Sequence, residues 1–439
     1  MPQKRRLLLV HPRSDRGLAG GISSSGKAGF VRLALPTVAA LTPAHWEVII
    51  HDARRSPPPF AERFDLVGIT AFTAEAPSAY AIADAFRTAG TPVVMGGVHA
   101  SAMPEEALQH CDAVVIGEAE AVWQNLLADL EAGALKQRYR AANLVKFENW
   151  PQPRRDLLEA RAYYDFNTLQ ATRGCPFDCD YCAVTQFFGR GIRCRPVAEV
   201  IAEIKTFRSR RCFFVDDNLI GNPSYAKEMF RALTPLDMRW GAQVSLTLAR
   251  DEELLALYAA AGGRYAFIGF ESLSPENLAA VNKSWNSPDA YAEAIRRLHR
   301  AGIVIVGSFI FGLDDDDVHV FDRTTAFIMR HRLDAAQFHI LTPFPGTRLF
   351  AKMEAEGRIV ERDWSRYTTN EVVFQPRHMS AEVLRAGYRR AWEKTYRLSN
   401  IIRRCNAAGL RQMPINLAVN LSYRRKAYKA QCDCGPHII

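Results

Sequence analysis

The chain is predicted to be an α/β protein with two successive strand–helix series and a mainly helical, basic C-terminal region. Two observations predict this. Short apolar runs alternate with helix-periodic segments twice along the 439 residues, and the chain changes character after about residue 350, with a basic helical segment from Ser380. In the first series the strand candidates are residues 7–10, 48–50, 66–69, 93–95 and 113–116, with helical stretches such as 79–88 and 122–130 between them. Short buried strands alternating with helices imply a parallel, doubly wound sheet of the Rossmann type. Ligands of such sheets sit at the carboxyl ends of the strands, near the point where strand order reverses. The loops expected there are Gly96-Gly97-Val98-His99, Gly117-Glu118-Ala119-Glu120 and residues 70–77. Their glycines permit close approach of a bulky ligand. No G-x-G-x-x-G fingerprint is present, which argues against a dinucleotide.

Residues 135–165 read as a connector, marked by Pro151, Pro153 and Arg154-Arg155-Asp156. A second series follows, with strand candidates at 168–172, 212–215, 242–246, 265–270, 303–309 and 337–341 and helices at 197–207, 252–261 and 290–301. The expected division is therefore 1–134, 135–165, 166–350 and a C-terminal region 351–439.

Composition narrows the function. A hydrophobic fraction of 48% with 23% charged residues is ordinary for a globular protein, and the chain has room for two or three full cores. No apolar run is long enough to span a membrane, and residues 7–10 are too short for a signal-peptide core. A cytoplasmic location and no membrane partner are expected, which suits nine cysteines without a disulfide framework. From Ser380 onward there are twelve Lys/Arg against three Asp/Glu, so this tail carries essentially all of the +9 net charge. It suits an anionic substrate or an acidic electron donor, and solvated helix faces explain it equally well. No aromatic interleaving argues for nucleic acid.

The chemistry is concentrated in Arg173-Gly174-Cys175-Pro176-Phe177-Asp178-Cys179-Asp180-Tyr181-Cys182, a C-x3-C-x2-C loop. Three thiols in eight residues suit a metal site far better than a disulfide. Iron–sulfur clusters usually take four thiolates. Three imply a [4Fe–4S] cluster with one iron left open for chemistry. The bland alternative is a structural zinc or unrelated surface thiols. Zinc would want a fourth Cys or His, and Cys194 is the only close candidate.

This loop resembles that of the radical SAM enzymes. Met95-Gly96-Gly97-Val98-His99-Ala100, Val115-Ile116-Gly117-Glu118-Ala119-Glu120, Gln170-Ala171-Thr172-Arg173-Gly174-Cys175 and Phe188-Gly189-Arg190 sharpen the resemblance, as do Phe213-Phe214-Val215-Asp216-Asp217-Asn218 and Gly269-Phe270-Glu271-Ser272. Together they resemble the radical SAM class with an N-terminal cobalamin-binding-type domain. The resemblance implies a partial (β/α)6 TIM-like barrel for the second series, with its site at the C-terminal strand ends. It implies that Cys175, Cys179 and Cys182 bind the cluster and that Tyr181 lies against the adenine of S-adenosylmethionine (SAM). Asp216, Asp217 and Asn218 would meet its methionine end, Gln243 and Ser245 would line the cavity, and Glu271 would accept the ribose hydroxyls. For Asp216-Asp217-Asn218 a plain turn is the competing reading, and for Glu271 a helix cap. The implied cofactors are a [4Fe–4S] cluster, SAM and, as an open question, cobalamin. A small-molecule acceptor and a flavodoxin- or ferredoxin-type electron donor complete the set.

Cobalamin domains that ligate cobalt through histidine carry D-x-H-x-x-G after an early strand. The chain reads Asp52-Ala53-Arg54-Arg55-Ser56-Pro57 there, with His51 on the wrong side, so His-on binding is not expected. The leading expectation is cobalamin-dependent methylation of an unactivated carbon or phosphinate centre. A rival rests on the terminal Cys432-Asp433-Cys434 and on Cys405, with His437 nearby. The three thiols are candidate soft ligands for trivalent arsenic, and His437 is a conceivable fourth ligand if they held a second Fe–S cluster instead. On that reading, which resembles the radical SAM enzyme of the arsinothricin pathway, SAM donates a 3-amino-3-carboxypropyl group instead. A non-catalytic metal- or corrinoid-binding protein is a third reading. His99 is read as a substrate contact or a satisfied loop histidine, and Cys111 and Cys212 as core residues in apolar strands.

Overall fold

The computed structural model describes residues 4–14, 29–159, 163 and 167–429. The first sheet has six parallel strands: β1 (Arg5–His11), β2 (Trp46–Asp52), β3 (Leu66–Thr70), β4 (Val93–Gly96), β5 (Ala113–Ile116) and β6 (Arg138–Arg140). Their order is β2-β1-β3-β4-β5-β6, so the direction of winding reverses between β1 and β3. Both faces are buried, as a parallel sheet requires. Leu8, Val10, Val67 and Ile69 pack on one side, and Leu7, Leu9, Leu66 and Trp123 on the other. The five strands expected from apolar runs are present. The sixth, β6, lies inside the expected connector. Its Arg-Tyr-Arg sequence buries only Tyr139 and offers no apolar run.

The second unit opens with β7 (Asn167–Leu169), followed by an antiparallel hairpin of β8 (Thr172–Cys175) and β9 (Gly191–Cys194). Then come β10 (Arg211–Phe214), β11 (Arg239–Val244), β12 (Gly263–Glu271), β13 (Val304–Phe311) and β14 (Ala335–Ile340). β7 and β10–β14 form one parallel sheet in the order β14-β13-β12-β11-β10-β7, with β7 and β14 at its edges. This open six-stranded arc is the expected partial barrel. One continuous core joins it to the C-terminal helices, where Trp392, Tyr396 and Tyr423 pack against Phe338 and its neighbours. Cys212 is buried in β10 as expected. Cys111 is buried too, but it ends the helix Pro104–His110 rather than lying in a strand.

The turn after β13 holds a buried carboxyl. Asp316 accepts hydrogen bonds from the Gly312 and Leu313 amides at 2.8 and 3.1 Å and from Asn277 Nδ2 at 2.8 Å. Burial outweighs these donors and pushes the carboxyl up to about 7. The folded chain therefore holds a proton that the unfolded chain releases at lower pH. This contribution to stability is complete below about pH 4 and is lost as pH rises through 7. Asp316→Asn, melted beside the parent chain, is expected to gain stability relative to it between pH 5 and pH 8. A constant difference across that range would contradict the assignment.

Candidate functional site

The cysteine loop leaves β8 at the C-terminal end of the barrel strands. Gly174, with φ of 89°, begins it, and a Cβ there would stand 2.6 Å from the Gly191 carbonyl oxygen, so only glycine fits. Carboxylates at the end of β10 pin the approach. Asp216 accepts from the Ala171 amide at 3.1 Å, from the Thr172 amide and from Thr172 Oγ1 at 2.7 Å. Asp217 accepts from the Gly174 amide at 2.9 Å. Asn218 Nδ2 approaches Cys175 Sγ at 3.9 Å, while its Oδ1 accepts from the Ser245 amide at 3.2 Å. Gln243 Nε2 donates to the Asp217 carbonyl at 3.1 Å, leaving its Oε1 buried without a partner.

Further contacts hold the loop from outside. Arg348 donates to Asp178 Oδ1 and Asp180 Oδ1 at 2.9 and 2.8 Å. Asn282 Nδ2 donates to the Asp178 carbonyl at 2.7 Å, and Phe177 stacks on Trp285 with centroids 3.7 Å apart. Burial pushes all three thiols up, Cys182 to about 12. Bound cations reverse that tendency by stabilising thiolate. Cys194 pairs in register with Thr172, three residues along the hairpin from Cys175, or about 10 Å. It is not a fourth member of the loop. Among the described residues no three His, Cys, Asp or Glu side chains converge closely enough for a single ion. A cubane cluster needs a wider setting, because each thiolate binds a different iron, and three otherwise free thiols on a rigid loop fit that donor set.

A buried charge pair borders the loop. Lys283 Nζ lies 2.7 Å from Glu271 Oε1 and 3.2 Å from the Tyr181 hydroxyl. Burial works against the ammonium, but Glu271 and the nearby thiols outweigh it and raise the Lys283 pKa. Glu271 itself has φ of 64°, beside a register shift between β12 and β13. A non-glycine residue in that region stores strain that the surrounding contacts must hold. The cap expected as the alternative for Glu271 is supplied by Ser274, whose Oγ accepts from the Asn277 amide. Lys283 and Arg348 carry no local motif, so only folding identifies them.

The first sheet presents its own strand ends to this loop. Gly97 has φ of 89°, and a Cβ there would meet Thr70 Oγ1 at 2.6 Å. Gly117, at φ of 84°, faces open space. Beyond it, Glu118 lies 2.6 Å from Arg173 and 2.8 Å from Arg193, and Glu120 lies 3.0 Å from Arg173. The Arg173 guanidinium also sits over the rings of Phe147, Trp150 and Phe188 at 5.1, 4.6 and 5.2 Å. Burial favours a neutral Glu118, but the hydrogen bond from Arg193 and the charge of Arg173 together hold its pKa below the usual range. This buried clamp joins the glycine loop of the first sheet to the residue two before Cys175.

Asp52 forms a buried pair with Arg54, also receives the Tyr163 hydroxyl at 3.0 Å, and is held at about 2 despite its burial. The His51 ring bonds the Ser56 carbonyl. His99 is fully buried in the helix Gly97–Ala102, not in a loop, with Nε2 3.0 Å from the Tyr80 hydroxyl and Trp364 edge-on to its ring. At the strand ends Gly117 leaves open space, which suits a ligand held there without a histidine.

Cys405, a candidate acceptor thiol in the sequence, is buried among the C-terminal helices. It is 2% exposed, and the neighbouring Arg404 binds the Leu333 and Asp334 carbonyls at the N-terminal end of β14, opposite the cysteine loop. Cys432, Cys434 and His437 lie outside the described residues.

Comparison with known proteins agrees with this geometry. The Radical SAM superfamily model matches residues 169–328, the B12 binding domain 30–127, and a Domain of unknown function (DUF4070) 347–427. Bacteriochlorophyllide d C-12(1)-methyltransferase of Chlorobaculum tepidum is 33% identical over 413 residues, covering 91% of this chain and 89% of that one. The C-8(2)-methyltransferase of the same organism is 30% identical, covering 80% and 82%. Among solved structures, the radical SAM methyltransferase TsrM of Kitasatospora setae, with cobalamin and a [4Fe–4S] cluster bound, superposes with a TM-score of 0.65 at 19% identity. It covers 80% of this chain and 75% of that one. With the strand-end loops of its two sheets facing each other and relatives of this closeness, the chain belongs to the cobalamin-dependent radical SAM methyltransferases, whose cofactors are a [4Fe–4S] cluster, SAM and cobalamin.

Proposed function

We propose that the protein methylates a carbon of a chlorophyllide-type tetrapyrrole. The carrying observation is 33% identity across nine-tenths of the chain with an enzyme that methylates bacteriochlorophyllide d. When bound, the cluster and SAM supply radical chemistry and the corrinoid supplies a methyl carrier. The chain's own residues position and shield them. Cys175, Cys179 and Cys182 hold the cluster, and Tyr181 and Glu271 receive the adenosine part of SAM. Lys283, fixed by Glu271, offers an ammonium to the SAM carboxylate. Asp217 and Asn218 border the methionine end, and Gln243 and Ser245 line the cavity, Gln243 with its unpaired Oε1.

For Asp216 we favour a part other than the SAM contact that the resemblance implies. It is buried and its Oδ1 accepts from the Ala171 and Thr172 amides and from Thr172 Oγ1, which supports reading it as a positioning residue for β8. The functional division is taken at 165 and 350, with the first unit extended past 134 to include β6, and a flavodoxin- or ferredoxin-type donor in a reducing cytoplasm supplies electrons.

The test is anaerobic incubation of cluster- and cobalamin-loaded protein with SAM, a strong reductant and bacteriochlorophyllide d. A product heavier by one CH2, with S-adenosylhomocysteine and 5′-deoxyadenosine, is expected by mass spectrometry. The same SAM products with no methylated tetrapyrrole would remove the substrate class. Arsenite-dependent 5′-methylthioadenosine would instead revive carboxypropyl transfer.

A further inference from the structure

The C-terminal helices carry a surface that the reaction does not use. Nine large apolar side chains are exposed among the described residues, and five of them, Leu398, Ile402, Leu410, Ile415 and Leu421, fall between residues 398 and 421. Leu410, at the tip of the turn between the last two helices, is 76% exposed. Between Lys394 and Gln431 the sequence holds nine Lys/Arg and no Asp/Glu. Arg397, Arg403, Arg411 and Arg425 are exposed along the same stretch of chain.

The face is firmly built. Buried Arg404 donates to the Leu333 and Thr395 carbonyls at 2.8 and 2.9 Å, and Asn416 and Asn420 bond Asp334 at 2.6 and 2.8 Å. These contacts seat the helices Leu398–Arg404 and Met413–Lys429 on the N-terminal end of β14. The cysteine loop lies at the other end of the strands, about 20 Å away along six residues.

An electron donor must reach the cluster, so an acidic redox protein does not explain a surface on the far side. A second copy of the chain would bring the same positive charge against it. Clustered leucine and isoleucine are of no use to a nucleic-acid backbone, which is bound through charge and stacking. Apolar side chains and cations exposed along one stretch match a bilayer surface with anionic headgroups, where each cation adds attraction and the apolar groups enter the headgroup boundary.

We propose that this face docks the enzyme peripherally on an anionic lipid surface. The contact requires no membrane-spanning helix, and no described helix is long and apolar enough to cross. It revises the expectation of no membrane partner.

The test is sedimentation of the loaded, full-length enzyme with vesicles of phosphatidylglycerol and phosphatidylcholine, against phosphatidylcholine alone. At least tenfold stronger partition onto the anionic vesicles is expected, weakening as salt shortens the range of the charges. The double variant Ile402→Asp, Leu410→Asp should lower that partition at least fivefold with iron and cobalamin content unchanged. Equal partition onto both vesicles, partition indifferent to the double variant, or no partition would each overturn the proposal. So would a dimer that the double variant dissociates in sedimentation velocity without any vesicle binding, since that outcome assigns the face to a second copy.

Discussion

Cys182→Ala protein, reconstituted anaerobically with iron and sulfide, is expected to lack the visible absorbance of a [4Fe–4S] cluster and to cleave SAM at background rate. The loop holds three thiols, each positioned by separate contacts, and among the described residues no fourth thiol lies near enough to substitute. Cys175 is set by the β8–β9 hairpin and Asn218, and the Asp178–Asp180 stretch before Cys182 is gripped by Arg348. Removing one thiolate leaves two, too few for a cluster that also keeps an iron open. Cys194→Ala is the control. Its thiol sits about 10 Å along the hairpin, and its loss should leave cluster content and turnover intact. Cluster retained in Cys182→Ala and lost in Cys194→Ala would reverse the ligand assignment.

Glu118→Gln is expected to cost about 3–5 kcal/mol of stability, since it leaves the buried Arg173 with Glu120 alone and Arg193 with no carboxylate. In a domain of this size that is a fall of roughly 5–15 °C in melting temperature. Pairing it with Arg193→Met should lose less than the sum of the two, because the second change removes one stranded charge. The clamp also fixes the distance between the two facing loop sets. Misplacement by an ångström costs on the order of 100-fold in a reaction that depends on alignment. Methylated product should therefore fall further than SAM consumption in Glu118→Gln. A proportional fall in both would reduce Glu118 to a structural role.

Much of the architecture is legible locally. Parallel strands buried on both faces are apolar runs, so ten of the twelve strands of the two large sheets are visible within a residue or three of their true ends. The two exceptions are instructive. β6 buries one tyrosine between two arginines, and β7 merges with the approach to the cysteines, where the chain breaks at Gln170 and Ala171 to turn into the hairpin. The cysteine loop itself is readable because its ligands are close in sequence.

What folding alone decides is the partnership of distant charges. Lys283 meets Tyr181 and Glu271, Arg348 meets Asp178, and Glu118 meets Arg173 and Arg193, across separations of 12 to 170 residues. No local pattern announces such pairs, because a lone charged residue on a chain looks the same whether it ends in water or in a buried bridge. Burial likewise separates the cysteines: equally plausible as thiols in the chain, Cys405 is sealed in a helical core and Cys175 faces its site. Local periodicity and spacing established the fold class and the cluster loop, since both depend on neighbours in sequence. The clamp, the buried charge pair and the exposed basic face arose only when the two strand–helix units and the C-terminal helices packed together, since each depends on neighbours in space.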